Sequence, residues 1–157
     1  MVSQVDNSHD YINVILETIK NDVEGAIENE SPIPEVHVRD LNVPDIKKRT
    51  RRAAQVFISF AELRQNTTQP SPVRRQAWDL VVLIEMIEPD NEGTSKLFPL
   101  VHQALLSDPR RNQNAHDTSI VEVVRGPVDE NGKNFLTGIT VNVIFFADRE
   151  SLFLPTP

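Results

Sequence analysis

Four histidines, His9, His37, His102 and His116, are the side chains best suited to hold a metal or move a proton, and none stands at ligand spacing from another or from an acidic partner. Cysteine is absent, which removes a thiolate nucleophile, a disulfide and a sulfur-ligated zinc. The five glycines make no G-x-G-x-x-G or G-x-x-x-x-G-K-[ST] run, so nucleotide binding of the common kinds, which needs glycines for close backbone approach, is disfavoured. No G-x-S-x-G elbow presents a serine. Glu85 and Glu88 form the nearest thing to a carboxylate pair, but at strand spacing they point to opposite faces and read as solvated strand-end charge. Glu122, between Ile120 and Val124, is a lone carboxylate facing solvent or a partner. His102 sits roughly 130° from the centre of its helix's apolar stripe, where water is its natural neighbour. These residues predict no catalytic, cofactor or metal site, and so a protein that is not an enzyme.

The basic residues are the more unusual feature. Lys47, Lys48, Arg49, Arg51 and Arg52 crowd into six positions. They suit a grip on phosphates, an acidic surface of another subunit, or simply a solvated turn. Arg74-Arg75 and Arg110-Arg111 are smaller pairs with the same choices. No aromatic side chain is interleaved with them, so no stacking platform for single strands is indicated. Sixteen Lys and Arg against 23 Asp and Glu give a formal charge of -7, which argues against the whole molecule being a nucleic-acid binder.

The elements that position these residues follow from periodicity. A length of 157 residues fits a single domain, with a core over about 8–149 and an irregular tail over 150–157. Ser8 caps a first helix running to about Glu28, with Ile12, Ile15, Leu16, Ile19, Val23, Ala26 and Ile27 on one face. After Ser31-Pro32-Ile33-Pro34 come a short strand, Val36–Leu41, and a longer one, Gln55–Leu63. The loop Asn66–Pro72 leads into a strand over about Arg74–Glu88, with Trp78, Leu80, Val82, Ile84 and Met86 at period two. A turn over Pro89–Gly93 precedes a second helix, capped by Thr94 or Ser95, with Pro99 in its first turn. Its apolar stripe is Leu97, Leu100, Val101, Ala104 and Leu105, and Asp108-Pro109 stops it. Strands Ser119–Arg125 and Phe135–Ala147 close the chain as a hairpin through Asn131-Gly132. The fold class is α/β of the α+β kind, a mainly antiparallel sheet built from hairpins with two principal helices packed on it. The N-terminus has no signal-peptide pattern, and the longest apolar runs, Leu80–Ile84 and Val143–Ala147, fall far short of the ~20 residues that cross a bilayer, so a soluble chain is expected.

Several strands are apolar on both faces. Ile139, Val141, Val143 and Phe145 point toward the helices, while Ile144 and Phe146 join the opposite side. Val81 and Leu83 oppose Leu80, Val82 and Ile84, and Phe57 opposes Val56 and Ile58. Two apolar faces need two covers. Either one helix crosses to the far face, or a partner subunit supplies the cover, and the second reading is favoured.

The run Arg74-Arg75-Gln76-Ala77-Trp78-Asp79 feeding Leu80–Glu85 resembles the central strand of the tail terminator (tail completion) proteins of long-tailed bacteriophages. The Tyr11-Ile12 opening helix, the helix with Ala104-Leu105-Leu106 before Asp108-Pro109, and the closing strand Gly138–Phe146 before Ala147-Asp148-Arg149 are similar too. The resemblance covers about residues 8–149 in order and spacing, and its motifs are architectural. It implies a homo-oligomeric, hexameric ring that caps the tail tube, ends tube polymerisation and offers a surface to head-completion proteins. Its partners would then be the tail tube protein and a connector protein, with DNA passing through the lumen without specific binding, no membrane and no cofactor. Its place would be the virion neck, after assembly in the host cytoplasm. The subunit or neighbour contacts expected are Lys47, Lys48, Arg49, Arg51, Arg52, Arg74, Arg75, Phe57, Ile144 and Phe146. The longer Val43–Arg52 segment departs from shorter relatives and leaves open which surface the basic residues occupy. A head-completion or connector protein is the nearest alternative, and a DNA-binding module using Lys47–Arg52 is the alternative of another class.

Overall fold

A computed structural model describes residues 10–39, 54–70, 75–89, 95–128 and 134–148. The first amphipathic stretch is helix α1, Asp10–Ile27. Of its apolar stripe, Ile15, Leu16, Ile19, Val23 and Ile27 are buried, and Ile12 and Ala26 pack at its margin. Strands β1 (Glu35–Arg39), β2 (Gln55–Gln65) and β3 (Arg75–Pro89) follow, then helix α2 (Leu97–Ser107) and strands β4 (Asp117–Pro127) and β5 (Asn134–Asp148). They form one five-stranded sheet in the order β1-β2-β3-β5-β4. β2 pairs antiparallel with β3 and β4 with β5, each as a hairpin; β3 also pairs antiparallel with β5, across the α2–β4 segment, while β1 lies parallel to β2 at the edge. The mixed sheet carrying two helices is an α+β fold.

Both helices lie on one face. Leu97, Val101 and Leu105 of α2 join the α1 stripe over Val56, Ile58, Leu80, Val82, Ile84, Met86, Ile139, Val141, Val143 and Phe145. Tyr11 adds its ring, stacked 5.6 Å from that of Phe145. Each Ile or Leu buried here stabilises the fold by about 1.5–3 kcal/mol, so this layer is the main source of cohesion. The opposite face carries Val81, Leu83, Ile87, Leu136, Ile144 and Phe146, all half-buried, and neither described helix covers it. Polar groups interrupt it: Asn66 and Asn142 each donate a side-chain N–H to Asp79 Oδ1, at 2.9 and 3.2 Å.

Asn66 also builds the turn between β2 and β3. Its Oδ1 accepts from the backbone N–H of Thr68 and Gln69 and from the Thr68 hydroxyl, at 3.0, 2.9 and 3.0 Å, replacing the ladder bonds that end there. At the other end of β3, Glu88 is 4% exposed and not solvated, contrary to the strand-end reading. Its carboxylate accepts from the backbone N–H of Lys96 at 3.0 Å and of Leu97 at 3.2 Å, and from the Ser95 hydroxyl. Ser95 Oγ in turn accepts from the Phe98 N–H at 3.0 Å. The two side chains satisfy the orphan donors and the positive dipole end of α2. Thr94, the other expected cap, and the Pro89–Gly93 turn beyond Pro89 lie outside the described residues.

Past α2 the chain reverses through Arg111, Asn112 and Gln113, whose φ values of 48°, 55° and 67° are left-handed. Asp108 holds this turn by accepting the Asn112 N–H on its carboxylate at 3.0 and 3.1 Å, and the Arg111 N–H on its carbonyl at 3.1 Å. The Arg110-Arg111 pair therefore splits. Arg110 is exposed, whereas Arg111 is fully buried between the helices. Arg111 Nη2 donates to the Leu105 carbonyl at 2.6 Å, and Nη1 lies 3.2 Å from Asp22 Oδ2. Neither Nη1 nor that oxygen is aligned for a hydrogen bond, so the contact is one of charge. Desolvation, aided by a side-chain hydrogen bond with Asp108 and opposed by the Arg111 charge, raises the Asp22 pKa to about 6. Asp108 is the acceptor of that bond; its backbone bond from Asn112 and the bond from Asp22 outweigh burial and hold it below the usual range.

Candidate functional site

Two surfaces stand out from the hydrophobic layer. The first is a cleft of about 440 Å³ where the start of α1, the start of β3, the Arg110–His116 turn and the end of β5 meet. Arg75 and Arg110 face it with Tyr11, Val14, His116 and Phe146. The left-handed turn is what brings residues 110 and 116 together: the Ala115 N–H bonds the Arg110 carbonyl at 2.9 Å, and the His116 N–H bonds the Ile144 carbonyl at 2.7 Å. The His116 ring stands edge-on to Phe146 at 5.3 Å and is 3.3 Å from the Gln69 amide nitrogen. Neither Arg75 nor Arg110 pairs with an acidic side chain among the described residues. Two uncommitted guanidinium groups beside aromatic and aliphatic surface suit a carboxylate carried next to an apolar group.

The second surface is β4, whose outer edge has no neighbour among the described strands. A bulge between Ile120 and Glu122 breaks the alternation there. Val121, Val123 and Val124 are 64%, 43% and 50% exposed. Val124 lies over Gly138, where an added Cβ would stand 3.2 Å from Val124 Cγ2. Glu122, within this apolar run, is exposed and has no ion-pair or hydrogen-bond partner among the described residues.

Of the contacts expected from sequence, the structure brings Arg75 and Phe146 together in the cleft, with Ile144 nearby on the same face of β5. Phe57 lies elsewhere. It pairs with Glu85 on β3, whereas Phe146 pairs with Ala77, eight positions along the same strand or about 27 Å away. It is also 2% exposed, with the His37 ring stacked at 5.3 Å. Lys47, Lys48, Arg49, Arg51, Arg52 and Arg74 lie outside the described residues, as do the Asn131-Gly132 turn and the C-terminal tail. His102 is half-buried, its ring tilted against Phe98 at 5.4 Å, because α2 turns that side toward its own first turn. No group of three or more His, Asp or Glu among the described residues is placed to hold a metal ion, and no described helix is long and apolar enough to cross a membrane.

The sequence reading missed Tyr11, Val14, Arg110 and His116 as parts of one cleft, and the β4 valines as one exposed run. The only forewarning was the flagged Arg110-Arg111 pair and the odd position of Glu122 between apolar neighbours.

No protein-family model and no curated protein matches this chain. Among solved structures it is similar to the sheath/tube terminator, in the extended state, of PVC, an extracellular contractile injection system studied by cryo-electron microscopy. The TM-score is 0.49 at 12% identity, over 93% of this chain and 60% of the other, so the chain spans about three fifths of that structure's length.

Proposed function

We propose that this chain is a non-enzymatic structural subunit of a tailed virion, which self-associates into a ring, caps the tail tube, ends its polymerisation and offers a surface for joining to the head. The observation that carries the reading is the presence of two surfaces at different places in the fold that have no partner among the described residues, the arginine cleft and the valine edge of β4. Two unlike patches that complement each other make head-to-tail contacts, and head-to-tail contacts close into rings when the rotation allows. The half-buried apolar face of the sheet supports association as well, since neither described helix covers it. The tube, the head side and a six-fold ring come from the resemblance of residues 8–149 to tail terminators. An excess of seven negative charges suits a lumen through which DNA slides without sticking.

Electron microscopy of the purified protein, alone and mixed with preassembled tail tubes, tests this. Rings at tube ends and arrested growth are expected. Tubes that lengthen unchecked in its presence would overturn the capping role.

A further inference from the structure

We infer that the cleft between Arg75 and Arg110 receives the exposed Val121–Val124 edge of a second copy, with Glu122 seated against the two guanidinium groups. This rests on the self-assembly reading and names the contact that would perform it. The complementarity is of two kinds. Arg75 and Arg110 lack an acidic partner among the described residues, and Glu122 lacks a basic one. A carboxylate facing a guanidinium fork gains two parallel charge-assisted hydrogen bonds. Around the charges, Tyr11, Val14 and Phe146 line the cleft, and Val124, on the same face of β4 as the glutamate, and the bulged Val121 flank it. Apolar surface on both sides would leave water as the charges meet.

The occupant is a second copy and not the same chain. Val121 lies five positions past His116 in the cleft, and along an extended strand that is about 17 Å. β4 is paired to β5 from Asp117 to Pro127 and cannot fold back on itself. One copy therefore presents socket and plug at separate places, which gives a repeating contact with a defined direction.

Arg110 and Glu122 are exposed, so reversing either charge leaves the fold intact, which circular dichroism verifies. Sedimentation velocity up to about millimolar protein then compares the native chain with Arg110→Glu, Glu122→Arg, an equimolar mixture of the two, and the double variant. Each single reversal is expected to weaken self-association by about tenfold or more. The mixture and the double variant are expected to restore it in part, because position 110 and position 122 then carry opposite charges at each such contact, alternating copies in the mixture and identical ones in the double variant, with Arg75 the one like charge left in the socket. Native association with undiminished association of both single variants would overturn this contact and leave self-assembly standing. Loss in both single variants with no recovery in the mixture or the double variant would also overturn it. A native protein that stays monomeric at every concentration would overturn the contact and the self-assembly reading together.

Discussion

Replacing Glu88 by alanine tests how the end of β3 holds the start of α2. The carboxylate receives two backbone N–H groups and one hydroxyl, and it is almost wholly removed from water. A hydrogen bond to a charged group contributes about 1.5–3 kcal/mol. The alanine variant loses all three, leaving the buried Leu97 N–H without its acceptor, while the Lys96 N–H is near enough to solvent to recover. Removal of a buried charge returns part of its desolvation cost. The net expected loss is about 3 kcal/mol, or a fall in Tm of about 6–12 °C for a chain of this length. Glu88→Gln keeps the acceptor oxygen but not the charge and should lose about half as much. Glu122→Ala, on the exposed edge, is the control and should stay within about 0.5 kcal/mol. Urea denaturation of the three variants measures this. A Glu88→Ala loss no larger than that of Glu122→Ala would show that the helix start is held by other means, and the capping argument would fail.

Arg111→Met should cost about 2–4 kcal/mol, because it leaves the buried Leu105 carbonyl without its donor and the half-buried Asp22–Asp108 pair without its cation, and urea denaturation measures it. Asp22 gives a pH signature. Its folded pKa of about 6 lies above the ordinary 3.8, so between these values the native state holds a proton that the unfolded chain has released. Its contribution is complete below about pH 3.8 and is lost as pH rises through 6; Asp108, shifted the other way, contributes throughout that window and loses its contribution only as pH falls below 3.8. The stability of the native protein minus that of Asp22→Asn should therefore fall between pH 4 and 7, and a flat difference would refute the shared proton. Gln113→Gly relieves a side chain held at φ 67° and should raise stability by up to about 1 kcal/mol, read from the thermal midpoint.

Elements governed by neighbours in sequence were legible from the residues. The α1 stripe, the period-two run Leu80–Met86 and the final hairpin occur where their spacing placed them, because one buried face selects one register. Failures came where distant segments meet. Glu88 reads as a strand-end charge until the chain returns and sets the first turn of α2 upon it. The Arg110-Arg111 doublet looks uniform in sequence, yet a left-handed turn sends one guanidinium into the protein and leaves the other outside. Tyr11, Arg75, Arg110, His116 and Phe146 share no motif, since four separate segments supply them. β1, with two valines in five residues, gave no sign that its partner would run parallel.

The bulge in β4 bears on the safety of the free subunit. A long, flat, greasy margin invites any passing strand to zip onto it, and the chain would then precipitate in the crowded cell before reaching its place. The extra residue at Val121 twists that margin, and the charges of Glu122 and Arg125 stand within it, so indiscriminate zipping is penalised. Such a border tolerates a docking socket of matching charge better than a generic strand, and the same irregularity that guards the lone molecule would select its proper neighbour.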